Sequence, residues 1–192
     1  MFRLTPPSEA QVRHFISGQA DSGFSYPEVG RSANAIPSGY NVDHNRIQIG
    51  RGALIWQRAV EAIRAWQMFS MPWVRLYWPS APIKVGAEVA VLMRHFGFYS
   101  LNACRIVYVV DENARVKRFG FAYGTLKEHA QRGEERFMVE WNRDEDQVWY
   151  DILAFSRPRE MLARLGYPLA RSLQKKFGEE SKRAMRAVVS GL

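Results

Sequence analysis

Hydrophobic positions along the chain follow two different periods, one helical and one strand-like. Apolar residues recur with the spacing of an amphipathic helix over residues 8–16 and again over residues 53–68. Residues 46–49 alternate between apolar and polar side chains, which predicts a short strand between these helices. The stretch 17–41 is rich in Gly, Ser, Pro and Asn, and its aromatic residues indicate a loop that packs against the body of the protein.

From Trp73 onward the apolar positions follow a two-residue period and are rich in β-branched and aromatic side chains, which is typical of strands. The predicted strands are residues 73–78, 88–99, 102–110, 115–123, 135–141 and 147–155. Short polar stretches at residues 111–114 and 142–146 indicate hairpin turns. No helical segment separates the strands, so we expect antiparallel pairing.

A helical pattern begins after Pro158 and continues almost to Leu192. Its apolar stripe is Leu162, Leu165, Leu169, Leu173 and Phe177, and Pro168 should bend it. The order of elements predicts an α+β fold, in which a curved antiparallel sheet wraps around a long C-terminal helix. We expect one domain, with an N-terminal helix and packed loop over residues 1–41 and the core over residues 42–192. A sheet and helix arranged in this way enclose a space in which small ligands commonly bind.

The charge of the chain is uneven. The net charge is +8, and residues 157–192 carry nine Lys or Arg against three Asp or Glu. Such a segment could attract phosphates or anionic lipid, but a solvated face is the commoner explanation, so nucleic acid is an unlikely partner. The basic side chains concerned are Arg171, Lys175, Lys176, Lys182, Arg183 and Arg186.

Composition also limits the compartment. Apolar residues make up 47% of the chain, which excludes intrinsic disorder. No stretch approaches the ~20 apolar residues of a membrane span, and the first residues lack the apolar core of a signal peptide. Cys104 is the single cysteine, so no internal disulfide can form. We therefore expect a cytoplasmic protein.

Metal, cofactor and nucleophile motifs are weak or missing in the sequence. No two of the four histidines are three or four residues apart, and Cys104 has no partner, so no zinc motif exists. Gly50 and Gly52 form half of a dinucleotide fingerprint, but the third position is Ile55. No GxSxG elbow occurs. We expect neither a metal nor a cofactor.

Several separate blocks of the sequence resemble the DUF1990 family, also called UPF0548. These blocks are FSYPEVG at residues 24–30, WQMF at 66–69 followed by Trp73, LNACRIVY at 101–108, YGTL at 123–126, GEERF at 133–137 and AFSRP at 154–158. The family has no established activity, so the resemblance implies a fold. It looks like a branch of the START-like, Bet v 1-like helix-grip superfamily, which includes lipid carriers, plant hormone receptors and polyketide cyclases.

Alternation along the strands points to polar residues that could face the enclosed space. Tyr123 follows Phe119 and Phe121 on one face, and Glu135 precedes Phe137 and Val139. By the same argument Arg105 and Asp151 lie among apolar neighbours, and a carboxylate there should be paired, with Arg105 bonded to Glu135 or Asp151. The predicted ligand-binding residues are Arg105, Tyr123, Glu135, His129 and Asp151, with Tyr26, Glu28 and Asn102 as secondary candidates. The alternative is a structural ion pair beside ordinary solvated faces.

Three functions remain open on the sequence. The leading hypothesis is binding of a small, largely apolar or amphipathic molecule between the sheet and the terminal helix, with no cofactor and with the loop at residues 17–41 as a possible lid. A second is a cofactor-free enzyme of the cyclase or hydrolase type that uses acid–base chemistry on such a molecule. A third is a nucleic-acid or anionic-membrane surface module that uses the basic terminal helix.

Overall fold

The computed structural model describes residues 2–129, 131–158 and 167–191. Within these residues the helices are α1 (Glu9–Ser17), α2 (Gly52–Arg64) and α3 (Tyr167–Ser190), with single 3-10 turns at Arg31–Ala33 and Gln67–Phe69. Ser8 caps α1 through a reciprocal pair of hydrogen bonds with Gln11. The predicted helical pattern over residues 159–166, with Leu162, Leu165 and the start of the expected bend, lies outside the described residues.

The strands form one antiparallel sheet. They are β1 (Phe2–Arg3), β2 (Asn41–Arg51), β3 (Val74–Tyr77), β4 (Glu88–His95), β5 (Phe98–Asn113), β6 (Val116–Thr125), β7 (Gln131–Asn142) and β8 (Gln147–Pro158). Over the described residues the strand order is β2-β8-β7-β6-β5-β4-β3, and β1 pairs with β5. From β3 to β8 each strand pairs with its neighbour in sequence, as hairpin connections dictate. The predicted fold class is confirmed.

Two local features differ from the sequence-based expectation. The chain reverses between β4 and β5 at Phe96 and Gly97, not near residue 100 as predicted, because both residues take positive φ angles of 48° and 78° and form a tight turn. The register between β5 and β6 also shifts between Ile106 and Tyr108, where Val107 forms a bulge. Beyond the bulge, each side chain therefore points to the face opposite to the one that strict alternation from the residues before the bulge predicts.

The inner face of the sheet, which we define as the face toward α2 and α3, holds the main core. Phe137 is fully buried there, and its ring lies 5.4 Å to 6.3 Å from those of Phe69, Tyr123 and Phe177. Burial of one such aromatic side chain contributes roughly 1.5–3 kcal/mol. The Tyr150 and Ser181 hydroxyls, 2.9 Å apart, add a polar link between β8 and α3. These contacts hold α3 against the sheet.

The outer face of the sheet carries a second, smaller cluster. Val12 and Phe15 of α1 pack there against Leu101 and Ala103 of β5. Since Leu101 and Ala103 point outward, their neighbours Ser100, Asn102 and Cys104 point to the inner face. Both faces of β5 are thus covered, which explains why its sequence is apolar in both phases.

Candidate functional site

A cavity of about 220 Å³ lies between the inner face of the sheet and α3. Its apolar walls include Phe69 of the second 3-10 turn, Val91 and Met93 of β4, Ile152 of β8, and Leu173 and Phe177 of α3. Polar side chains from β2, β4, β5, β6, β7 and α3 complete the lining. The cavity is where the fold prediction expected one, since the terminal helix closes over the sheet without filling all the space beneath it.

Tyr123 and Glu135 form a cross-strand pair in this cavity. They are opposite one another in the β6–β7 register, and the Tyr123 hydroxyl donates to Glu135 Oε2 at 2.8 Å. Burial raises the pKa of Glu135 to about 7, while the bond from Tyr123 acts to lower it. Desolvation also keeps the Tyr123 pKa well above its ordinary value. The pair therefore presents a carboxyl group that changes charge near neutral pH, next to a phenol that stays protonated.

His129 and Asn102 line the same cavity. The Gln131 amide N–H donates to His129 Nδ1 at 3.0 Å, so the neutral imidazole carries its proton on Nε2. Desolvation lowers the pKa of His129 to about 3, which keeps the ring neutral. Asn102 is 3% exposed, and its Nδ2 group faces Val91 O, Ser100 O and Ser100 Oγ. Asn102 Oδ1 is buried and has no hydrogen-bond partner.

A seam of hydrogen bonds joins α3 to the sheet beside the cavity. Gln174 Nε2 donates to Gln131 Oε1 at 2.6 Å and to Ser156 Oγ at 2.8 Å. Arg171 forms an ion pair with Asp43, in which Nη2 donates to Oδ1 at 2.7 Å, and Arg171 Nη1 also donates to Gln174 Oε1. The polar groups of Gln174, Ser156 and Asp43 are consequently engaged with one another.

The predicted pairing of Arg105 with Glu135 or Asp151 is wrong. Arg105 points to the outer face, where its guanidinium donates to Glu88 Oε1 at 2.5 Å and 2.9 Å. It also donates to the carbonyls of Gln19, Ala20 and Ser22, in the segment that follows α1. Alternation with Val109 suggested the inner face, but the bulge at Val107 reverses the phase between the two residues. Arg105 holds the N-terminal segment to the sheet.

Asp151 also lies on the outer face, not in the cavity. It is 1% exposed, and its carboxylate oxygens receive bonds from His44 at 2.7 Å and Arg136 at 2.9 Å. Arg46 lies 3.6 Å from it and stacks over Trp149, with its guanidinium 5.1 Å from the ring centroid. The apolar neighbours Trp149 and Leu153 suggested a core face, but both point outward, and the Arg46 guanidinium covers the Trp149 ring.

Tyr26 and Glu28 belong to the N-terminal loop, residues 18–40, and do not line the cavity. Tyr26 donates to Glu134 Oε2 at 2.7 Å, and Tyr40 donates to Glu28. Glu134, which sequence reasoning missed, also accepts bonds from the Gly30 and Ser32 amides at 2.7 Å and 3.0 Å. Because Glu134 precedes Glu135 on β7, it points to the opposite face. The loop therefore packs against the outer face of the sheet, as the sequence predicted, and not over the cavity as the alternative of a lid required.

Three of the six basic residues singled out on α3 form ion pairs or ring contacts with neighbouring residues. Besides the Arg171–Asp43 pair, Lys182 lies 2.7 Å from Glu179, and Lys176 lies 3.8 Å from Glu180 and over the Trp73 ring. Lys182 is also mostly covered, with 15% of its side chain exposed. These contacts reduce the free positive charge that α3 can present to an anionic partner. Among the described residues, no helix is both long and apolar enough to cross a membrane.

Comparison with known proteins gives one family and one fold. The family described as "Domain of unknown function (DUF1990)" matches residues 25–184. A UPF0548 protein from Dictyostelium discoideum is 36% identical, over 98% of this chain and 96% of its own length. Among solved structures, Ara h 8.0201 aligns with a TM-score of 0.52 at 9% identity, over 80% of this chain and 100% of its own. A norcoclaurine synthase point mutant from Thalictrum flavum aligns with a TM-score of 0.50 at 13% identity, over 81% and 98%. The chain has the helix-grip fold of these structures and belongs to the DUF1990 family of UPF0548 proteins.

Proposed function

We propose that the protein binds a small, largely apolar molecule in the cavity between the inner face and α3. The observation that carries this proposal is the cavity itself, about 220 Å³ of space beneath a helix that is otherwise closely packed. Protein interiors are normally filled to crystal-like density, and voids larger than a water molecule are few. An apolar cavity of about 150 Å³ is enough to hold benzene, so this one has room for a ring or a short chain.

The apolar and polar residues of the cavity have different roles in this proposal. Phe69, Phe177 and the other apolar walls supply the hydrophobic contact area, and the polar groups orient the ligand. Tyr123, Glu135, His129 and Asn102 are the orienting groups, since all four line the cavity. Arg105, Asp151, Tyr26 and Glu28 support the sheet from its outer face and have no contact role in binding.

The test combines a search for a copurified ligand with a substitution that fills part of the cavity. Native mass spectrometry of the purified protein should show a bound small molecule, and the neutral fluorophore N-phenyl-1-naphthylamine should bind to emptied protein with enhanced emission. Ala154→Leu adds bulk to the cavity wall and should weaken the probe roughly tenfold. Ala53→Leu makes the same chemical change on the exposed side of α2 and should leave binding unchanged. Equal affinity in the wild type and Ala154→Leu would overturn the proposal.

A second function is favoured by the Glu135 carboxyl group. Its pKa of about 7 suits a general acid or base, and Tyr123 and His129 lie in the same cavity as potential proton carriers. We propose acid–base turnover of the bound molecule as the alternative to simple binding. Incubation of the copurified molecule with wild-type protein should then change its mass or its chromatographic retention time, and incubation with folded Glu135→Gln should leave both unchanged. An unchanged mass and retention time with both proteins would refute turnover and leave ligand binding as the proposed function.

A further inference from the structure

The cavity has a different charge character from the rest of the protein. The chain carries 27 Lys or Arg against 19 Asp or Glu. Yet among the described residues that line the cavity none is Lys or Arg, whereas Asp43, Glu134 and Glu135 contribute to it. The Asp43 carboxylate is paired with Arg171, and the Glu134 carboxylate is bonded to the loop on the outer face. Glu135 is therefore the acidic group left to meet a ligand.

Two polar atoms of this site that are open to a ligand are acceptors. Glu135 Oε2 takes the bond from Tyr123, and within the described residues Oε1 takes none. Asn102 Oδ1 is likewise buried without a donor, and three acceptors around Nδ2 fix the orientation of its amide. A buried acceptor without a partner is destabilising, so Asn102 Oδ1 favours a ligand that donates a hydrogen bond. Glu135 Oε1, on a partly buried side chain, is available to accept another.

The two histidines in the lining do not supply positive charge. Desolvation lowers the pKa values of His95 and His129, so both rings are neutral at physiological pH. His129 can donate one bond from Nε2, which suits a hydroxyl oxygen as well as any other acceptor. A ligand carboxylate would thus be buried next to Glu135 with no compensating cation among the described lining residues.

We propose that the cavity selects amphipathic molecules whose head group donates hydrogen bonds and carries no negative charge, such as hydroxyl or amine compounds, and discriminates against carboxylates. This inference rests on the proposed binding function and specifies its ligand class. The ligand's apolar body contacts Phe69, Leu173 and Phe177, and its head donates to Glu135 Oε1 or Asn102 Oδ1. A carboxylate head group is repelled by the negative charge of Glu135, and no new interaction compensates for the hydration that it loses.

Binding should consequently depend on the ionisation of Glu135. The titratable and charged groups around Glu135 are His129, Tyr123 of β6, Cys104 of β5, Tyr150 of β8, and Asp43 of β2 with its ion-pair partner, Arg171 of α3. Burial raises the pKa values of Tyr123, Tyr150 and Cys104, so all three stay neutral near pH 7. Glu135 is therefore the group whose charge changes in this region of the cavity between about pH 6 and 8.

Four probes with one apolar body test the selectivity. They are 3-phenyl-1-propylamine, 3-phenyl-1-propanol, 3-phenylpropionate and n-propylbenzene, and titration calorimetry at about pH 8 measures their affinities for delipidated protein. We expect the amine and the alcohol to bind, and the propionate to bind roughly tenfold or more weakly than the alcohol. Glu135→Gln should reduce the difference in affinity between 3-phenylpropionate and 3-phenyl-1-propanol, and it should weaken the binding of 3-phenyl-1-propylamine. Glu145→Gln, at an exposed turn position, should leave all four affinities unchanged.

The outcomes separate this inference from the function on which it rests. If n-propylbenzene and all three substituted probes fail to bind, and no molecule copurifies, the binding function itself fails. If propionate binds as tightly as the alcohol or the amine, the cavity binds ligands but the selectivity is refuted. If the gap persists in Glu135→Gln, Glu135 does not cause the discrimination and the assignment to it is overturned.

Discussion

Replacement of Glu135 by glutamine should remove a pH dependence of stability that originates in the cavity. Burial raises the pKa of Glu135 from 4.5 to about 7, so the folded protein holds the carboxyl proton more tightly than the unfolded chain does. The stability gained from the neutral carboxyl is fully present below about pH 4.5 and is lost as the pH rises through about 7. The wild type should therefore become less stable across neutral pH for this reason.

The magnitude follows from the two pKa values. At ~1.36 kcal/mol per pKa unit, the rise from 4.5 to about 7 gives at most about 3.4 kcal/mol, of which about 2.5 kcal/mol falls between about pH 5 and pH 8. Because the Glu135 side chain is only partly buried, water reduces this, and we expect about 1–2.5 kcal/mol. Glutamine has no proton to lose, and its amide oxygen can still accept the bond from Tyr123.

Urea unfolding followed by tryptophan fluorescence, at about pH 5, 6, 7 and 8, measures the difference. The unfolding free energy of Glu135→Gln should rise by about 1–2.5 kcal/mol relative to the wild type over this range, and exposed Glu145→Gln should follow the wild type. Tyr123→Phe should move the wild-type transition to higher pH, since the phenol bond stabilises the charged carboxylate. Parallel pH profiles for the wild type and Glu135→Gln would refute the reasoning.

Two further changes test residues on the outer face. Arg105→Met should lower the free energy of unfolding by about 1–3 kcal/mol, because Glu88 and the carbonyls of the segment after α1 lose their donor. Its affinity for N-phenyl-1-naphthylamine should stay unchanged, and a loss of affinity in folded protein would contradict its placement outside the cavity. Tyr26→Phe should cost about 1–3 kcal/mol and speed proteolysis within the N-terminal loop, because Glu134 loses its bond from the Tyr26 phenol. Cleavage of that loop at the wild-type rate would show that Tyr26 does not anchor it.

The inner face of β6 and β7 could be predicted because alternation along these strands is unbroken. Phe119, Phe121 and Tyr123 follow the two-residue period without interruption, and so do Glu135 and Phe137. Each of these residues lies on the inner face. A regular strand with one buried face places its side chains by counting alone, so local sequence is sufficient there.

Counting failed where a strand is irregular or covered on both faces. The bulge at Val107 changes the phase of β5, and the sequence has no Gly or other marker there to predict it. On β8, Trp149 and Leu153 are apolar although they point outward, and the side chain of the distant residue Arg46 covers the Trp149 ring. Tertiary contacts of this kind decide which face is buried, and no local pattern contains them.

The role of Glu134 could not be predicted for a similar reason. Its partners Tyr26, Gly30 and Ser32 lie more than 100 positions away in the sequence. Nothing near Glu134 indicates that donors from three distant residues converge on it, and Glu135 beside it has the same chemistry. The two carboxyl groups differ in their surroundings because consecutive side chains of a strand point to opposite faces of the sheet.

The GEERF block is informative because consecutive residues in it satisfy separate constraints. A Cβ atom at Gly133 would clash with the Phe155 carbonyl oxygen, so glycine permits the close approach of β7 and β8. Glu134 binds the N-terminal loop on the outer face, and Glu135 enters the cavity on the inner face. Phe137 then fills the core beneath α3. One short segment of β7 thus joins loop attachment, core packing and the charge of the cavity, and a shift of this strand would alter all three together.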